Sequence, residues 1–524
     1  MVSQVDGERP CACQKGVYTP VKIAISYPPL HSDKGVALLS QNRQFQWFNN
    51  PTFIYPMVPA SAATLLQSMG HEVIWDDAIA EQKSEAEWLR WFGSAGLDLI
   101  AFESKTPTIK RHWKLINEMK RVSPSTLIAL MGDHVTGFPE ESLEQSPVDY
   151  VLTGGDFDFS LRDLVNHLGK GDPHGPGTYY REHGAIAKTG MYSLVNDLNE
   201  LPMIDRDLTK WELYAYKNGN FKYLPGTYTM AGRDCWWGHC TFCSWTVMFP
   251  GQKFRTRTAQ AMLEEVDILV NKYGVREIFD DTGTLPIGAW LNEFCEGLIA
   301  RGLHKKVRMG CNMRFNYLSK EDYQLMGRAG FRFILYGLES ANQSTLKRLA
   351  KNMNTETIAQ ELRWSKGAGL APHLTTMIGY PWESKAEAQN TIDFCKKMFK
   401  TGCVDTLQAT VIMPYAGTPL YKEAENNGWL LTKDWDEYDM RQPILKSPLT
   451  AEDTLALTQD LYRSFISPQF IFNKLINIRG WEDIQFIGRG IKYVIGHLTD
   501  FNVGQVKGAA ALAKTEQDKT EAAA

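Results

Sequence analysis

The chain has 524 residues and a formal charge of −4, from 56 lysines and arginines against 60 aspartates and glutamates. No basic excess is present to hold nucleic acid by its phosphates. An apolar share of 44%, with 15 Trp, 21 Tyr and 24 Phe, suffices for packed cores in several domains and excludes disorder throughout. No apolar run is long enough to span a bilayer, and the opening MVSQVDGERP lacks the basic start and greasy core of a signal peptide. A cytoplasmic protein without a transmembrane segment is therefore expected.

A flexible arm is expected over 1–20, and Cys11 and Cys13 within it have nothing metal-like nearby in sequence. From 21 to 170 short β-type runs alternate with amphipathic helical ones: VKIAISY (21–27), HEVIWDD (71–77), DLIAFES (98–104), TLIALMG (126–132) and DYVLTGG (149–155). This is the βαβ rhythm of a doubly wound, Rossmann-like parallel sheet, whose ligands lie beyond the carboxyl ends of the strands. The segment 171–225 is rich in Pro, Gly, Tyr and charge without sustained periodicity and is read as a linker packed across the first domain.

A second alternation fills 226–430, with candidate strands GTYTMAGR (226–233), VREIFDDT (275–282), VRMGCNMR (307–314), FRFILYGLES (331–340), PHLTTMIGYP (372–381) and DTLQATVIMPY (405–415). Six strands followed by helices close only part of a TIM-type barrel and leave an open side to be covered. The α/β chain then ends in a helical, aromatic extension over 431–505, read with equal weight as a lid on the barrel mouth or as packing on its outside. A low-complexity tail over 506–524 is expected to be disordered.

Nine cysteines are too few for a disulfide scaffold. Cys295, Cys311, Cys395 and Cys403 are scattered and read as small buried residues. Cys235, Cys240 and Cys243 cluster in AGRDCWWGHCTFCSW (231–245), just after the first strand of the second alternation. That is where a barrel keeps its active site. Zinc with His239 as a fourth ligand is one reading, although His239 lies awkwardly between the cysteines for tetrahedral wrapping. Three soft thiolates on one turn better suit a 4Fe-4S cluster with one iron left open to a small molecule.

At this point the sequence resembles the radical S-adenosylmethionine (SAM) enzymes, whose signature usually has three and then two residues between its cysteines. Cys240-Thr241-Phe242-Cys243 matches the ending, whereas four residues, Trp236 to His239, separate the first pair here. FDDTGT (279–284), YGLES (336–340), TTMIGYP (375–381) and MPYAGTPLY (413–421) extend the resemblance along successive strands. It implies that Cys235, Cys240 and Cys243 are the metal ligands and the centre of catalysis, with SAM on the open iron. It further implies Phe242 near the adenine, Asp280, Asp281 and Thr282 at the SAM ammonium, Arg314 at its carboxylate, Glu339 and Ser340 at the ribose, and Gly379 where backbone approaches the adenine.

The first domain resembles that of the cobalamin-binding subgroup of this family, through SYPP (26–29), GHEVIWDD (70–77), MGDHVTGFPEESL (131–143) and DYVLTGG (149–155). Gly154 and His134 are its candidate cofactor contacts, His134 being equally a plain turn histidine. The Asp-x-His-x-x-Gly match at 172–177 lies after the last helix of the domain rather than after its first strand, so any cobalamin is expected to bind without a protein imidazole. The resemblance implies an electron donor like flavodoxin or ferredoxin and attack on an unactivated carbon, with two outcomes open. One is methylation; the other is oxidative cyclisation or rearrangement, as in the anaerobic tetrapyrrole cyclase-like members. Aromatic content favours a large, mostly apolar, lipid-like or tetrapyrrole-like organic substrate over a small one. A non-catalytic sensor of metal or cofactor is the alternative of a different class.

Overall fold

The computed structural model describes residues 19–39, 45–466, 470, 478 and 480–500. The expected tail over 506–524, positions 1–18 of the expected arm, and parts of the extension lie outside the described residues. The first domain is a seven-stranded sheet. Its strands are β1 (Lys22–Tyr27), then, after a small antiparallel pair β2 (Val36–Leu38) and β3 (Gln46–Phe48), β4 (Glu72–Asp77), β5 (Leu99–Glu103), β6 (Leu127–Met131), β7 (Tyr150–Leu152), β8 (Thr178–Glu182) and β9 (Ala185–Lys188). Their order is β4-β1-β5-β6-β7-β8-β9, parallel through β7. In β5 every residue is buried, as continuous apolar runs are when helices cover both faces. Helix Ile109–Val122 turns Ile109, His112, Trp113, Ile116 and Met119 inward at helical spacing and leaves its charges outside.

The segment read as a linker adds β8 and β9, an antiparallel hairpin that extends the sheet beyond β7 through the pair Tyr150–Tyr180. TYYRE and AIAK carry little apolar alternation because this hairpin closes one edge of the sheet, largely exposed and held by backbone pairing more than by burial.

The second domain is a six-stranded parallel sheet in simple chain order: β10 (Gly226–Thr229), β13 (Glu277–Asp280), β14 (Arg308–Met313), β15 (Phe331–Glu339), β16 (Ala371–Ile378) and β17 (Thr406–Val411). Between β10 and β13 lies a two-residue antiparallel pair, β11 (Gly232–Arg233) with β12 (Arg255–Thr256). Returning helices start at side-chain caps: Thr258 for 259–271, and capping boxes Ser319/Asp322 for 320–328 and Ser384/Glu387 for 385–400. The result is the expected partial barrel.

Helix Ala451–Arg463 packs on β17, where the Tyr462 hydroxyl donates to the Ala409 carbonyl at 2.9 Å. Ahead of it, residues 429–445 pass across the mouths of both sheets. Trp429 and Leu445 reach the apolar cluster around Phe242, while Trp435 and Asp439 bond Glu141 (2.9 Å) and Lys34 (2.5 Å) of the first domain. Among the described residues no helix is long and apolar enough to cross a membrane.

Candidate active site

The loop between β11 and β12 starts from a rigid base. Arg233 is buried and grips Asp158 (2.5 Å) and Asp156 (3.1 Å) of the first domain, and Arg255 of β12 holds the same Asp156 at 2.6 Å. From there the chain passes Asp234 at φ 74 and reaches Cys235, whose Sγ lies 3.0 Å from Thr284 Oγ1. The middle of the loop is pegged on both sides: Thr241 N–H donates to Leu349 O (3.0 Å) and accepts at its own carbonyl from Leu420 N–H (2.9 Å). A tight turn follows, Cys243 N–H to Cys240 O at 3.2 Å. Phe242 is thereby buried among Leu349, Met377, Tyr380, Ile412 and Leu420, with Cys240 and Cys243 on the flank of that cluster.

Burial pushes the Cys240 thiol above its ordinary value and the Cys243 thiol up to about 12, and nearby thiols add to both. Lys351 and Arg314 pull Cys240 the other way. Lys351 Nζ is buried and paired with Glu339 Oε1 at 2.6 Å. Arg314 places Nη1 3.9 Å from Cys240 Sγ and donates from Nη2 to the Lys351 carbonyl. No group of three His, Cys, Asp or Glu side chains among the described residues converges as on a single metal ion.

Asp280, Asp281, Thr282, Arg314, Glu339, Ser340 and Gly379 lie at or just beyond the carboxyl ends of strands of the second sheet, though several face other partners. Asp280 Oδ2 accepts from Thr229 Oγ1 (3.0 Å) and Ala231 N–H (2.9 Å), which ties β10 to β13, and burial raises its carboxyl. Thr282 Oγ1 accepts from Gly232 N–H at 2.9 Å, and Asp281 is buried beside it. Glu339 has φ 64 at a register shift between β15 and β16, a bulge of the kind that re-aims side chains at sites. Ser340 Oγ donates to Glu383 Oε1 at 2.6 Å. Gly379 has φ 98, and a Cβ there would come 3.1 Å from Thr454 of helix Ala451–Arg463, so the position suits glycine.

Polar atoms buried without partners gather at the same mouth. Among the described residues these include both carboxylate oxygens of Asp234, Arg314 Nε, Thr376 Oγ1, the Tyr380 hydroxyl, Glu383 Oε2 and the Tyr415 hydroxyl. Each such atom costs about 1–3 kcal/mol unless something bonds it. Burial and neighbouring Asp156 raise Asp234 to about 8 despite Arg255. Three soft thiols, two adjacent cations and a ring of unmatched donors and acceptors fit a thiolate-bound iron–sulfur cluster with a polar, amphoteric ligand at its open corner.

The carboxyl ends of both sheets face each other. Gly155 N–H donates to Met248 O at 3.1 Å, and a Cβ on Gly137 would meet the backbone of Ala416 at 2.6 Å. In this seam Lys105 is buried between Glu103 (3.5 Å) and Asp133 (3.4 Å), with Asp133 Oδ1 lacking a hydrogen-bond partner and Tyr415 close enough to sense its charge. Gly154 lines a cavity of about 240 Å³ together with Thr153, Ser160, Asp163 and Tyr192, and a Cβ on Gly154 would strike the Tyr192 ring at 2.5 Å.

The pattern of the Radical SAM superfamily matches residues 231–395, which hold all three thiols and the strand ends just described. Residues 231–395 are a radical SAM domain. The chain is 26% identical over 421 residues to an uncharacterized methyltransferase of Pyrococcus horikoshii, covering 78% of this chain and 88% of that one. With an anaerobic magnesium-protoporphyrin IX monomethyl ester cyclase of Cereibacter sphaeroides it shares 24% identity, over 72% of this chain and 61% of that one. Its fold is similar to the methyltransferase TsrM of Kitasatospora setae, a structure with cobalamin and a [4Fe-4S] cluster bound (TM-score 0.63, 13% identity, 91% of this chain and 99% of that one). It is also similar to the cobalamin-dependent radical enzyme OxsB (TM-score 0.66, 15% identity, 96% and 75%).

A radical SAM domain implies a 4Fe-4S cluster and SAM as cofactors, and the clustered thiols Cys235, Cys240 and Cys243 all lie within the matched residues. His134 lies in the first domain, just after β6. Its ring is buried beneath Trp435, with Nε2 3.0 Å from Glu141 and Nδ1 3.3 Å from Thr106 Oγ1. Sequence reasoning passed over Lys351, Thr284, Asp234 and Tyr380. Tyr380 stood inside a quoted motif and could have been noted; Lys351 arrives only because helix Gln343–Arg348 returns the chain to Glu339, which no local pattern announces.

Proposed function

We propose that this radical SAM enzyme is a cobalamin-dependent C-methyltransferase acting on a large, largely apolar organic substrate. The observation that carries the reading is the seam, where the carboxyl ends of a Rossmann-like sheet and of the cluster-bearing sheet meet over buried, incompletely bonded polar groups. Asp133 Oδ1 and the Tyr415 hydroxyl are donors and acceptors that a polar corrin rim would satisfy, and the cavity at Gly154 offers room for a further part of that cofactor. The similarity to TsrM and OxsB, whose structures contain cobalamin, supports the same reading. Bound together, the cluster, SAM and cobalamin supply a radical that takes hydrogen from carbon and a methyl group that replaces it.

The residues of the chain act by binding and exclusion. Cys235, Cys240 and Cys243 hold the cluster, while Phe242 and Tyr380 keep its flank dry. Asp281 at the end of β13 is assigned to the SAM ammonium. Glu339, Ser340 and Thr376 are assigned to its hydroxyls, which requires Glu339 and Ser340 to share their bonds with Lys351 and Glu383. With both His134 nitrogens engaged, any cobalamin is held without that imidazole. A flavodoxin- or ferredoxin-like donor in the cytoplasm is the assigned source of electrons.

The test is anaerobic turnover of candidate lipids and tetrapyrroles with SAM carrying a labelled methyl group, read by mass. Gain of one labelled methylene unit supports the proposal. Loss of hydrogens without label selects cyclisation, the activity named for one group of relatives. Formation of no 5′-deoxyadenosine or methylated product with a protein loaded with iron and cobalamin would overturn both.

A further inference from the structure

The four residues between Cys235 and Cys240 have a structural employment. Trp236 and Trp237 fold over the Arg314 guanidinium, whose carbon lies 4.4 Å from the Trp237 ring centre, 5.9 Å from Trp236 and 5.6 Å from Tyr317. Each indole is tethered by its N–H, Trp236 to Leu285 O at 3.2 Å and Trp237 to Ala350 O at 2.9 Å. Trp236 meets Tyr317 edge to face, with centroids 4.4 Å apart. Arg314 itself is only 4% exposed. No carboxylate among the described residues forms an ion pair with it, and Glu339 pairs instead with Lys351 at 2.6 Å. Its Nε lacks an acceptor, and its Nη1 stands 3.9 Å from Cys240 Sγ.

Aromatic faces, like the Lys351 carbonyl that Arg314 also bonds, stabilise a buried cation without cancelling its charge. The field of Arg314 is therefore left for the thiolate of Cys240. We propose that Trp236, Trp237 and Tyr317 are positioning residues that clamp Arg314 against Cys240, and that the clamped charge raises the reduction potential of the cluster. This rests on the cluster reading above. Reduction adds one electron to an already anionic cluster, so a fixed cation in a low-dielectric surround favours the reduced state over the oxidised one. A planar guanidinium can stack between rings and still point an N–H at sulfur, which a lysine ammonium cannot.

The full chain and the variants Arg314→Gln, Trp237→Leu and Trp237→Phe are reconstituted anaerobically with iron and sulfide in the absence of SAM. They are assayed for bound iron, then titrated with dithionite through viologen mediators, following the paramagnetic signal of the reduced cluster. One electron passes from dithionite to the cluster, and no bond of the protein is made or broken. Arg314→Gln is expected to keep its iron and to shift the reduction equilibrium about tenfold toward the oxidised form, about 59 mV for one electron. Trp237→Leu should shift it the same way by about threefold, and Trp237→Phe, which keeps a ring, should stay within about twofold of the parent. Iron-loaded Arg314→Gln that titrates with the parent overturns the inference. So does loss of the cluster from both Arg314→Gln and Trp237→Leu, since Arg314 would then be needed for assembly rather than potential. If only Arg314→Gln fails to load, Trp237→Leu decides by its shift. An unaltered chain that takes up no iron overturns the functional reading instead.

Discussion

Cys240 is surrounded by opposing demands. Burial disfavours its thiolate while Arg314 and Lys351 favour it, and a buried thiolate is tolerated where a metal shares its charge. Cys240→Ala is expected to lower bound iron after reconstitution and to abolish 5′-deoxyadenosine formation, measured by chromatography; normal formation would remove Cys240 from the cluster. A second residue, far from the thiols, governs stability. Arg206 is buried, stacked 4.4 Å from the Tyr55 ring, and bonded to Glu265 at 2.8 Å and to the Tyr228 carbonyl at 2.8 Å. Arg257 shares Glu265, so the acid stays ionised in a dry place. Arg206→Leu leaves that pair half broken and should cost about 3–5 kcal/mol, read from denaturant unfolding.

Among the elements, the parallel strands were legible because burial on both faces writes near-continuous apolar runs, as in IAI of β1 and LIAF of β5. The hairpin of β8 and β9 was not, because an edge pair is held by backbone bonds that any sequence can make. The bulge that turns Glu339 toward Lys351 was equally invisible: Gly337-Leu338-Glu339 reads as ordinary strand, and only pairing with β16 displaces the register. The loop after β7 shows how tightly such junctions are packed. Gly154 has φ 87 and the Tyr192 ring against its Cα, so Gly154→Ala should destabilise by about 1–3 kcal/mol. Thermal unfolding checks this, and trimming Tyr192 to Ala in the same chain should return part of the loss.

Across the whole molecule, the two sheets are joined by buried charge as well as by apolar packing. Arg233 and Arg255 on one side and Asp156 and Asp158 on the other make the joint specific in orientation, and Arg233→Met should loosen it. Hydrogen exchange in 153–158 and 232–256 is expected to rise together. Acid stability has a distinct source. His112 is buried with Nδ1 2.7 Å from Ser104 Oγ, and burial depresses its value to about 3 from the ordinary 6.5. The unfolded chain takes up a proton there that the folded one refuses, so stability present above about 6.5 drains away as pH falls toward 3. The slope from this group is about 1.4 kcal/mol per pH unit. His112→Asn should remove about that much of the slope between pH 6 and 4, measured as unfolding free energy against pH.

The sequence by itself determined that two alternating α/β domains follow one another and that three thiols cluster at a strand's carboxyl end, because periodicity and spacing are local properties. It also placed Asp280, Asp281, Thr282, Arg314, Glu339 and Ser340 at strand ends, which the parallel topology then carries to one mouth. Their partners were beyond its reach. That Lys351 pairs with Glu339 and that His134 faces Glu141 depend on how short segments turn back on themselves, and that Asp280 bonds backbone and that Arg314 lies under two tryptophans depend on segments tens of residues apart. Contacts of that separation are set by how sheets stack and loops return, and only the assembled structure decides them.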